Sequence, residues 1–345
     1  MGCVRSVGWA VNRIRLVVDV LPGLLIATAL AVLASVLAQV TPTAVTAVPI
    51  AVVLGILVGM LTPRQHVDPG IEVATRQVLR TGIVLLGAGL SLRDVATLGA
   101  VAVGLVAVTL AAGFLVAWHL GRRVGLSRET AALLGVGTAV CGNTAILAAA
   151  PIVRARSPEV GVAVATITLC GTVALLVYPV VGRALYLGDV GFGLWVGLAI
   201  QDTSQVVAAG AAFSDPARDV ATVVKLVRNA TLAGVLPLLA WWWRRTGEPD
   251  TASVGWRKAV PLFVVGFLAM VVLRTLGVVD AEVGARLGQV ASAAILIAVA
   301  GLGMSIRPGD LRRTSMRAVG VGAAAAAVLG GIGLVTALMV APLLE

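Results

Sequence analysis

The stretch GTAVCGNT, residues 137–144, interrupts an apolar run of the chain with glycine, hydroxyl and amide groups. A second stretch, QDTSQ at residues 201–205, places five consecutive polar residues inside another apolar run. Membrane helices avoid such groups, because an aspartate at the bilayer centre costs roughly 3 kcal/mol on insertion scales. The two stretches therefore predict interrupted membrane helices whose polar groups face a wet cavity or a partner.

The composition around these stretches is that of a membrane protein. Of the 345 residues, 59% are hydrophobic and 12% are charged, and the mean hydropathy is +1.03. About a quarter of the residues of a soluble domain are charged. We therefore expect an all-α polytopic membrane protein, with residues 1–345 forming a single integral membrane domain. The first long apolar run resembles a membrane helix rather than a cleavable signal, because it lacks a small-residue cleavage site followed by polar sequence.

Eleven apolar runs are long enough to cross about 30 Å of hydrocarbon. They lie near residues 17–39, 45–62, 78–98, 99–121, 130–154, 159–182, 191–213, 222–243, 259–278, 287–306 and 318–341. We expect about 10–11 transmembrane helices, and an interrupted run can be a re-entrant hairpin instead of a crossing.

The basic residues predict the orientation of the chain. With the N-terminus inside, 18 of the 26 lysines and arginines fall on the cytoplasmic side of these runs. The positive-inside rule then favours a cytoplasmic N-terminus and an outer C-terminus. The same rule accounts for the net charge of +10, so we expect no nucleic-acid partner.

Two parts of the sequence resemble each other. Residues 83–94 read IVLLGAGLSLRD and residues 297–310 read IAVAGLGMSIRPGD, and a Gly/Ala/Val-rich helix follows each. The two copies run in opposite directions, which predicts an inverted repeat with segments of about 78–186 and 191–345. The polar interruptions, however, lie in the fifth and seventh runs, which cross in the same direction. Either one interruption is re-entrant or the second half is arranged differently.

The first interruption is a candidate anion site. Its glycines lower helix propensity, and a break at mid-membrane exposes a half-helix N-terminus with unpaired amide groups. The alternative is close packing of small residues, with the polar side chains bonded to neighbouring backbone. The candidate substrate-binding residues of this stretch are Thr138, Cys141, Gly142, Asn143 and Thr144.

The second interruption carries a charge, Asp202, to which we assign the coupling role. This carboxyl group can titrate, bind a cation or pair with a basic residue. Lys225 and Arg228 lie one turn apart at the mouth of the next predicted helix, where they either recruit an anion or extend to the interface. The candidate substrate-binding residues here are Gln201, Thr203, Ser204, Gln205, Lys225 and Arg228.

Metal and cofactor chemistry finds little support in the sequence. Cys3, Cys141 and Cys170 are widely spaced, and only His66 and His119 accompany them. This pattern matches no zinc, haem or iron–sulfur site, so we expect neither a resident metal nor a cofactor. A sodium ion remains an alternative, because hard oxygen donors suit it. The residues that would bind it are Asn143, Thr144, Asp202 and Gln205.

Four motifs together resemble the YeiH family, also called UPF0324, to which sulfate export is ascribed. They are GLSLRD (89–94), GTAVCGNTAI (137–146), DTSQVVAAG (202–210) and VKLVR (224–228). The resemblance implies a multi-pass transporter of the bacterial inner membrane. It also implies a distant similarity to bile-acid sodium symporters and cation/proton antiporters, which have inverted repeats and broken helices.

Two positions depart from the pattern of that family. Gln201 stands where members often carry a histidine before the acidic residue, and Asn143 stands where alanine is common after Cys-Gly. A titratable imidazole is therefore missing, and an amide is added. The departures affect the expected coupling mechanism more than the expected fold.

Together these features predict a secondary active transporter that exports or exchanges sulfate or a related small sulfur-containing anion by alternating access. One alternative is a sodium- or proton-coupled symporter or antiporter for carboxylates or bile-acid-like substrates. A passive channel and a membrane-embedded lipid-modifying enzyme are more distant alternatives, and we expect no enzymatic activity. The expected partners are the bilayer, the anion and either H⁺ or Na⁺. Gly55 and Gly59 form a GxxxG pair that packs helices within a subunit or between the subunits of a homodimer.

Overall fold

The computed structural model describes residues 2–40, 46–245, 262–306 and 315–343, and these residues form α-helices without any strand. The helices are α1 (Gly2–Val40), α2 (Ala47–Leu61), α3 (Arg64–Glu72), α4 (Leu79–Leu86), α5 (Leu92–Arg123), α6 (Arg128–Ala139), α7 (Asn143–Ala149), α8 (Ser157–Ala184), α9 (Asp189–Ala199), α10 (Thr203–Phe213), α11 (Asp215–Ala230), α12 (Leu232–Arg245), α13 (Leu262–Thr275), α14 (Ala281–Ser305) and α15 (Met316–Val340). A π-helical turn, Val73–Val78, joins α3 to α4.

Six helical spans in the described part of the chain are long and apolar enough to cross a membrane. They are Asp19–Val40, Ala102–Arg123, Ser157–Ala184, Asp215–Arg245, Ala281–Ser305 and Met316–Leu343. Helices α2, α9 and α13 are also apolar but shorter. The predicted all-α polytopic membrane fold is confirmed.

The predicted runs 78–98 and 99–121 have different bounds in the structure. The chain turns at Gly87–Gly89, so α4 ends before the turn and α5 begins at Leu92. Helix α3, the π-helical turn and α4 form one continuous helical rod, which starts at Arg64, well before the predicted run. Its charged residues lower the local hydropathy, but one face of the rod is apolar and buried at Val67 and Ile71.

The run 130–154 is a re-entrant hairpin formed by α6 and α7, not a crossing. Helix α6 packs along the first half of α8, so that Gly137 lies against Ile167. Helix α7 then returns along the same part of α8. Both ends of the hairpin lie together, because Ser127 before α6 lies beside Glu159 at the start of α8. We call α6–α7 the first hairpin.

The run 191–213 is also a re-entrant hairpin, formed by α9 and α10. The Ser214 hydroxyl donates to Asp189 Oδ1 at 2.5 Å, which joins the end of α10 to the start of α9. The rings of Phe192 and Phe213 stack beside this bond with centroids 4.0 Å apart. We call α9–α10 the second hairpin. Both polar interruptions are therefore re-entrant, whereas the sequence interpretation left open either one re-entrant interruption or a differently arranged second half.

The two hairpins enter the bundle from opposite ends. Helix α8, with 28 residues, leads from the base of the first hairpin to the base of the second. We call the end where α6 begins the α6 end and the other the α9 end. The hairpin tips meet midway, because Gly142 of the first tip lies against the backbone of Asp202 in the second. Gly142 has φ +62°, a conformation that favours glycine.

The two hairpins have equivalent neighbouring helices, but these neighbours occur in a different order along the chain. Helix α5 packs on α6, and α8 is the next helix in the chain after the first hairpin. In the same way, α15 packs on α9, and α11 is the next helix in the chain after the second hairpin. The helix that precedes the first hairpin thus corresponds to one that comes last in the chain. The inverted repeat with segments of about 78–186 and 191–345 stays a prediction.

The remaining helices form a wall beside the hairpins. We define the wall as α1–α4, α13 and α14, which pack mainly on one another, and the hairpin group as α5–α12 and α15. Gly55 and Gly59 of α2 contact the backbone of α14 at Ala300 and Met304. The GxxxG pair therefore packs helices within the chain.

Candidate functional site

The hairpin tips bring two helix ends and two helix starts together inside the bundle. Helices α6 and α9 end at the tips with carbonyl groups that have no partner in the helix, and α7 and α10 begin there with amide groups that have no partner in the helix. Each helix end carries about half a negative charge and each start about half a positive charge. Helix α6 is deeply enclosed, since every one of its residues from Thr130 to Ala139 is buried.

Lys225 of α11 is bonded to carbonyl groups from both tips. Its Nζ donates to the carbonyl oxygens of Val140 at 2.9 Å and Ile200 at 3.1 Å, and to that of Gln201. The side chain is fully buried. Because an ammonium group has three N–H donors, these three carbonyls use all of them.

Arg228, one turn further along α11, donates hydrogen bonds to carbonyl groups at the same two helix ends. Its guanidinium donates to the carbonyl oxygens of Ala139 at 2.6 Å, Leu198 at 2.8 Å and Ile200 at 3.2 Å, and to that of Thr138. It is also fully buried. Two cations therefore neutralise the negative ends of α6 and α9.

This geometry corrects the predicted position of both cations. The sequence interpretation placed Lys225 and Arg228 at the mouth of a helix over 222–243, where they would either recruit an anion or extend to the interface. Helix α11 begins at Asp215 instead, so both residues lie deep in the bundle. Neither lines the cavity described below, and their N–H groups point at backbone carbonyls.

Asp202 caps the start of α10. Its Oδ1 accepts the backbone N–H of Ser204 at 2.9 Å and the Ser204 hydroxyl at 2.5 Å. A carboxylate in this position satisfies a free amide and complements the positive end of the helix. The side chain is only half-buried and lines the cavity.

Threonines of α8 hold both hairpins. The Gln205 Nε2 group of α10 donates to the carbonyl of Thr168 at 3.0 Å and to the hydroxyl of Thr172 at 3.1 Å. Asn143 Nδ2 of the first tip donates to the Thr168 hydroxyl at 3.1 Å. The sequence interpretation missed these threonines. Their spacing of four residues on one face of an apolar helix is the signal that could have identified them.

A cavity of about 860 Å³ lies at the tips. Seven of the predicted site residues line it, and they are Cys141, Asn143, Thr144, Asp202, Thr203, Ser204 and Gln205. Five predicted residues lie outside the lining, and they are Thr138, Gly142, Gln201, Lys225 and Arg228. The lining also includes polar residues that sequence reasoning did not select, namely Thr75, Arg76, Arg80, Thr168, Thr172, Asn229 and Ser305.

The cavity reaches the α6 end and is closed toward the α9 end. Its lining includes Pro158 at the start of α8 and Ser305 at the end of α14, both at the α6 end. Toward the α9 end, Arg218 of α11 donates to the Ser292 hydroxyl of α14 at 2.9 Å. Arg218 is buried there and joins the hairpin group to the wall.

A second contact supports this closure. The Thr46 hydroxyl, just before α2, donates to the carbonyl of Ala212 near the end of α10 at 3.2 Å. The second hairpin is thereby joined to the wall at its base. Two hydrogen bonds therefore join the hairpin group to the wall on the side of the α9 end.

Several buried amide oxygens near the tips have no hydrogen-bond partner among the described residues. They are Asn143 Oδ1, Gln201 Oε1, Gln205 Oε1 and Asn229 Oδ1. Asn229 Nδ2 donates to the Thr203 hydroxyl at 3.2 Å, which leaves its oxygen as the free atom. Such oxygens can bind a cation or accept a ligand O–H or N–H group, while the hydroxyl and amide N–H groups of the lining can bind an anion.

Comparisons with known proteins match most of the chain. The family model named Conserved hypothetical protein 698 matches residues 22–322. A UPF0324 membrane protein of Bordetella bronchiseptica is 32% identical over 275 residues, which cover 77% of this chain and 84% of the relative. A UPF0324 membrane protein of Pseudomonas aeruginosa is 34% identical over 256 residues, 72% of each chain. No solved structure matches the chain.

Proposed function

The chain belongs to the UPF0324 family of membrane proteins, and we propose that it is a secondary active transporter that exports or exchanges sulfate or a related small anion by alternating access. One observation carries the proposal: two re-entrant hairpins enter from opposite ends, and their tips meet beside a cavity that reaches only one end. Secondary transporters place broken helices and their substrate near mid-membrane in this way.

The charges at the tips support an anionic substrate. Lys225 and Arg228 bring two positive charges into the bundle, and Asp202 brings one negative charge. The cavity lining itself adds two arginines, Arg76 and Arg80. A site of net positive charge with low-dielectric walls concentrates anions.

The basic residues support a cytoplasmic α6 end. The re-entrant course of the first hairpin returns Arg154 and Arg156 to the α6 end, while Arg183 moves to the α9 end. With these three changes, the 18 basic residues assigned to the cytoplasmic side become 19 of 26. We therefore propose a cytoplasmic N-terminus in the bacterial inner membrane, with the cavity open to the cytoplasm. An exporter binds its substrate in this state.

The proposed movement shifts the hairpin group against the wall. In the outward-open state, the bonds from Arg218 to Ser292 and from Thr46 to Ala212 would break, and the cavity would close at the α6 end. The tips would move with the hairpin group because α8 and α11 hold them from both sides. Rigid-body movement of one helix group around a fixed site is the usual form of alternating access.

Asp202 is the proposed carrier of the coupling charge, because it is an acidic residue that lines the cavity at a hairpin tip. Asp202→Asn should retain the fold, since asparagine also caps helices, and should remove the dependence of transport on pH or on the coupling ion. The measurement is the initial uptake rate in proteoliposomes over a pH and sodium series. An unchanged dependence in the variant would rule out this role.

Sodium-coupled transport is a second candidate, supported by the unpartnered amide oxygens of Asn143 and Asn229 near Asp202. The backbone carbonyls of the breaks are poor candidates for sodium ligands, because Lys225 and Arg228 already occupy many of them. A sodium site would therefore depend on side-chain oxygens. Stabilisation of the purified protein by sodium, and not by potassium, in a thermal melt would favour this candidate.

The decisive experiment measures transport in proteoliposomes that contain the purified full-length protein. Labelled sulfate, thiosulfate and taurine are supplied outside, with the same compound unlabelled inside. A carrier should show saturable uptake that the internal substrate accelerates, and protein-free liposomes should show none. Absence of exchange for all anions and small carboxylates tested would contradict the proposal, and currents above carrier rates would identify a channel instead.

A further inference from the structure

Two arginines of the wall face the cavity. Arg76 lies in the turn between α3 and α4, Arg80 lies one helical turn later in α4, and both line the cavity. Residues four apart occupy one face of a helix, so the two guanidinium groups belong to one surface. In the sequence they count among the basic residues that favour a cytoplasmic N-terminus.

These guanidinium groups are available to a ligand. Arg76 pairs with Glu72 at 2.6 Å, but both side chains are more than half exposed, and such pairs contribute little. Arg80 lies 5.6 Å from the ring centroid of Phe263, and within the described ranges it has no carboxylate partner. Arginine presents a planar fork of N–H groups that matches carboxylate and other oxyanion oxygens.

The surface next to the arginines is apolar. Leu79, Ile83 and Phe263 line the cavity beside Arg76 and Arg80, and Leu302 and Ile306 of the α14 end continue this surface. A cavity of about 860 Å³ falls in the range that holds organic ligands of drug size. A bare inorganic oxyanion would leave most of this apolar surface in contact with water.

We therefore infer that Arg76 and Arg80 bind the oxyanion group of an organic anion, a sulfonate or carboxylate, whose apolar body lies against Leu79, Ile83 and Phe263. The inference rests on the proposed transport of anions and specifies the class of anion. The tips supply hydroxyl and amide groups on the other side of the same cavity. The substrate is thus held between the wall and the hairpin group, the two parts that move during alternating access.

The test measures binding to the full-length protein in lipid nanodiscs by calorimetry. The ligands are inorganic sulfate, methanesulfonate, propanesulfonate, hexanesulfonate and hexanoate, with empty nanodiscs as the reference for partition into lipid. Burial of a methylene group against apolar side chains strengthens binding about threefold to fourfold. We expect affinity to rise along the sulfonate series and sulfate to bind most weakly. The comparison of hexanesulfonate with hexanoate identifies the preferred head group.

Variants separate the two parts of the site. Arg80→Gln should weaken hexanesulfonate binding at least tenfold, and Arg80→Lys should restore part of it. Phe263→Ala should reduce the gain in affinity for each added methylene group. The matched control is Arg123→Gln, which removes an exposed arginine of the α6 end that does not line the cavity. Because Arg80 is exposed, its variants should melt at the wild-type temperature.

The outcomes distinguish this inference from the proposed function. Equal binding of sulfate and hexanesulfonate, or an Arg80→Gln variant that binds like the wild type, would overturn the inference even if proteoliposomes exchange sulfate. A rise along the series that depends on Arg80 would support it even if no anion is transported. In that case the transport proposal alone would fail.

Discussion

Helices α8 and α11 occupy equivalent positions behind the two hairpins but differ in chemistry. Helix α11 directs Lys225 and Arg228 at backbone carbonyls of both tips, and both cations are fully buried. Helix α8 offers Thr168 and Thr172, whose neutral groups bond to Asn143 and Gln205. The first set of bonds joins charged donors to helix ends, and the second joins neutral groups on the side of the cavity.

The difference shows that a symmetric arrangement of helices can hold an asymmetric distribution of charge. The negative ends of α6 and α9 both face α11, so the helix on that side must supply cations. Helix α8 does not need to supply cations, and its threonines line the cavity without adding a charge to it. The proposed anion would be attracted by the charges of Lys225 and Arg228 without touching these two residues, because neither lines the cavity.

The largest effect should follow removal of the α11 charge. Arg228→Ala would leave the carbonyls of Ala139, Leu198 and Thr138 without their charged donor inside the bundle. Each bond to a charged group contributes about 1.5–3 kcal/mol, so we expect a loss of at least roughly 3 kcal/mol of stability. Thermal melting and size-exclusion profiles of the purified variant measure this loss.

The matched control is Arg123→Ala, which removes an exposed arginine from the end of α5. Surface changes of this kind usually alter stability by less than about 0.5 kcal/mol. If both variants melt at the same temperature, the carbonyls of the tips do not depend on Arg228, and the contrast between α11 and α8 loses its energetic basis.

The sequence predicted the membrane fold because composition alone excludes a soluble domain. It also located both polar breaks, and seven of the predicted residues line the cavity. It raised re-entrant hairpins only as an alternative, because an apolar run of about 24 residues has the same hydropathy whether it crosses or returns. The contact that distinguishes the two, such as Ser214 with Asp189, joins residues 25 apart and leaves no periodic signal.

The role of the cations was equally hidden from the sequence. Lys225 and Arg228 at a spacing of three fit a ligand site, an interfacial position and a helix-end cap equally well. Only the meeting of two helix ends from distant parts of the chain selects the last of these. Arg76 and Arg80 were missed for a related reason, since a basic helix start is ordinarily a determinant of topology.

The junction between the tips should be the next most sensitive point. Gly142→Ala places a side chain on a residue with φ +62°, and its Cβ would lie 3.4 Å from the backbone of Asp202. With ψ −122° this conformation lies outside the regions that alanine prefers, and such a backbone costs of order 1–3 kcal/mol. We expect a comparable loss of stability and slower transport, measured by melting and by initial rates. Gly104→Ala on α5, where nothing lies within 4 Å, is the control and should be neutral or stabilising.

The α8 side should respond more weakly than the α11 side. Thr172→Val keeps the shape of the side chain and removes the hydroxyl that accepts from Gln205 Nε2. A neutral hydrogen bond contributes about 1 kcal/mol, and the remaining bond to Thr168 retains part of the contact. We expect a melting shift well below that of Arg228→Ala. A loss as large as that of the arginine variant would show that the two scaffolding helices contribute equally.

The smallest effect should come from the closure at the α9 end. Ser292→Ala removes the acceptor of Arg218 on the wall and leaves the second contact, Thr46 to Ala212, in place. A loss of about 1 kcal/mol would shift the balance between closed and open states roughly fivefold. Cys141, which lines the cavity, reports this shift as its alkylation rate.

Measurement requires a background in which the other two cysteines are replaced by serine and a thiol reagent that does not cross membranes. Relative to the parent, Ser292→Ala should slow labelling of Cys141 from the α6 end and accelerate it from the α9 end. Ser305→Ala is the control, because its hydroxyl bonds to Leu302 of its own helix and joins no second element. Equal labelling in the Ser292→Ala variant and the parent would mean that the closure depends on apolar packing rather than on the Arg218 bond. The asymmetry between the two sides would then be confined to the tips.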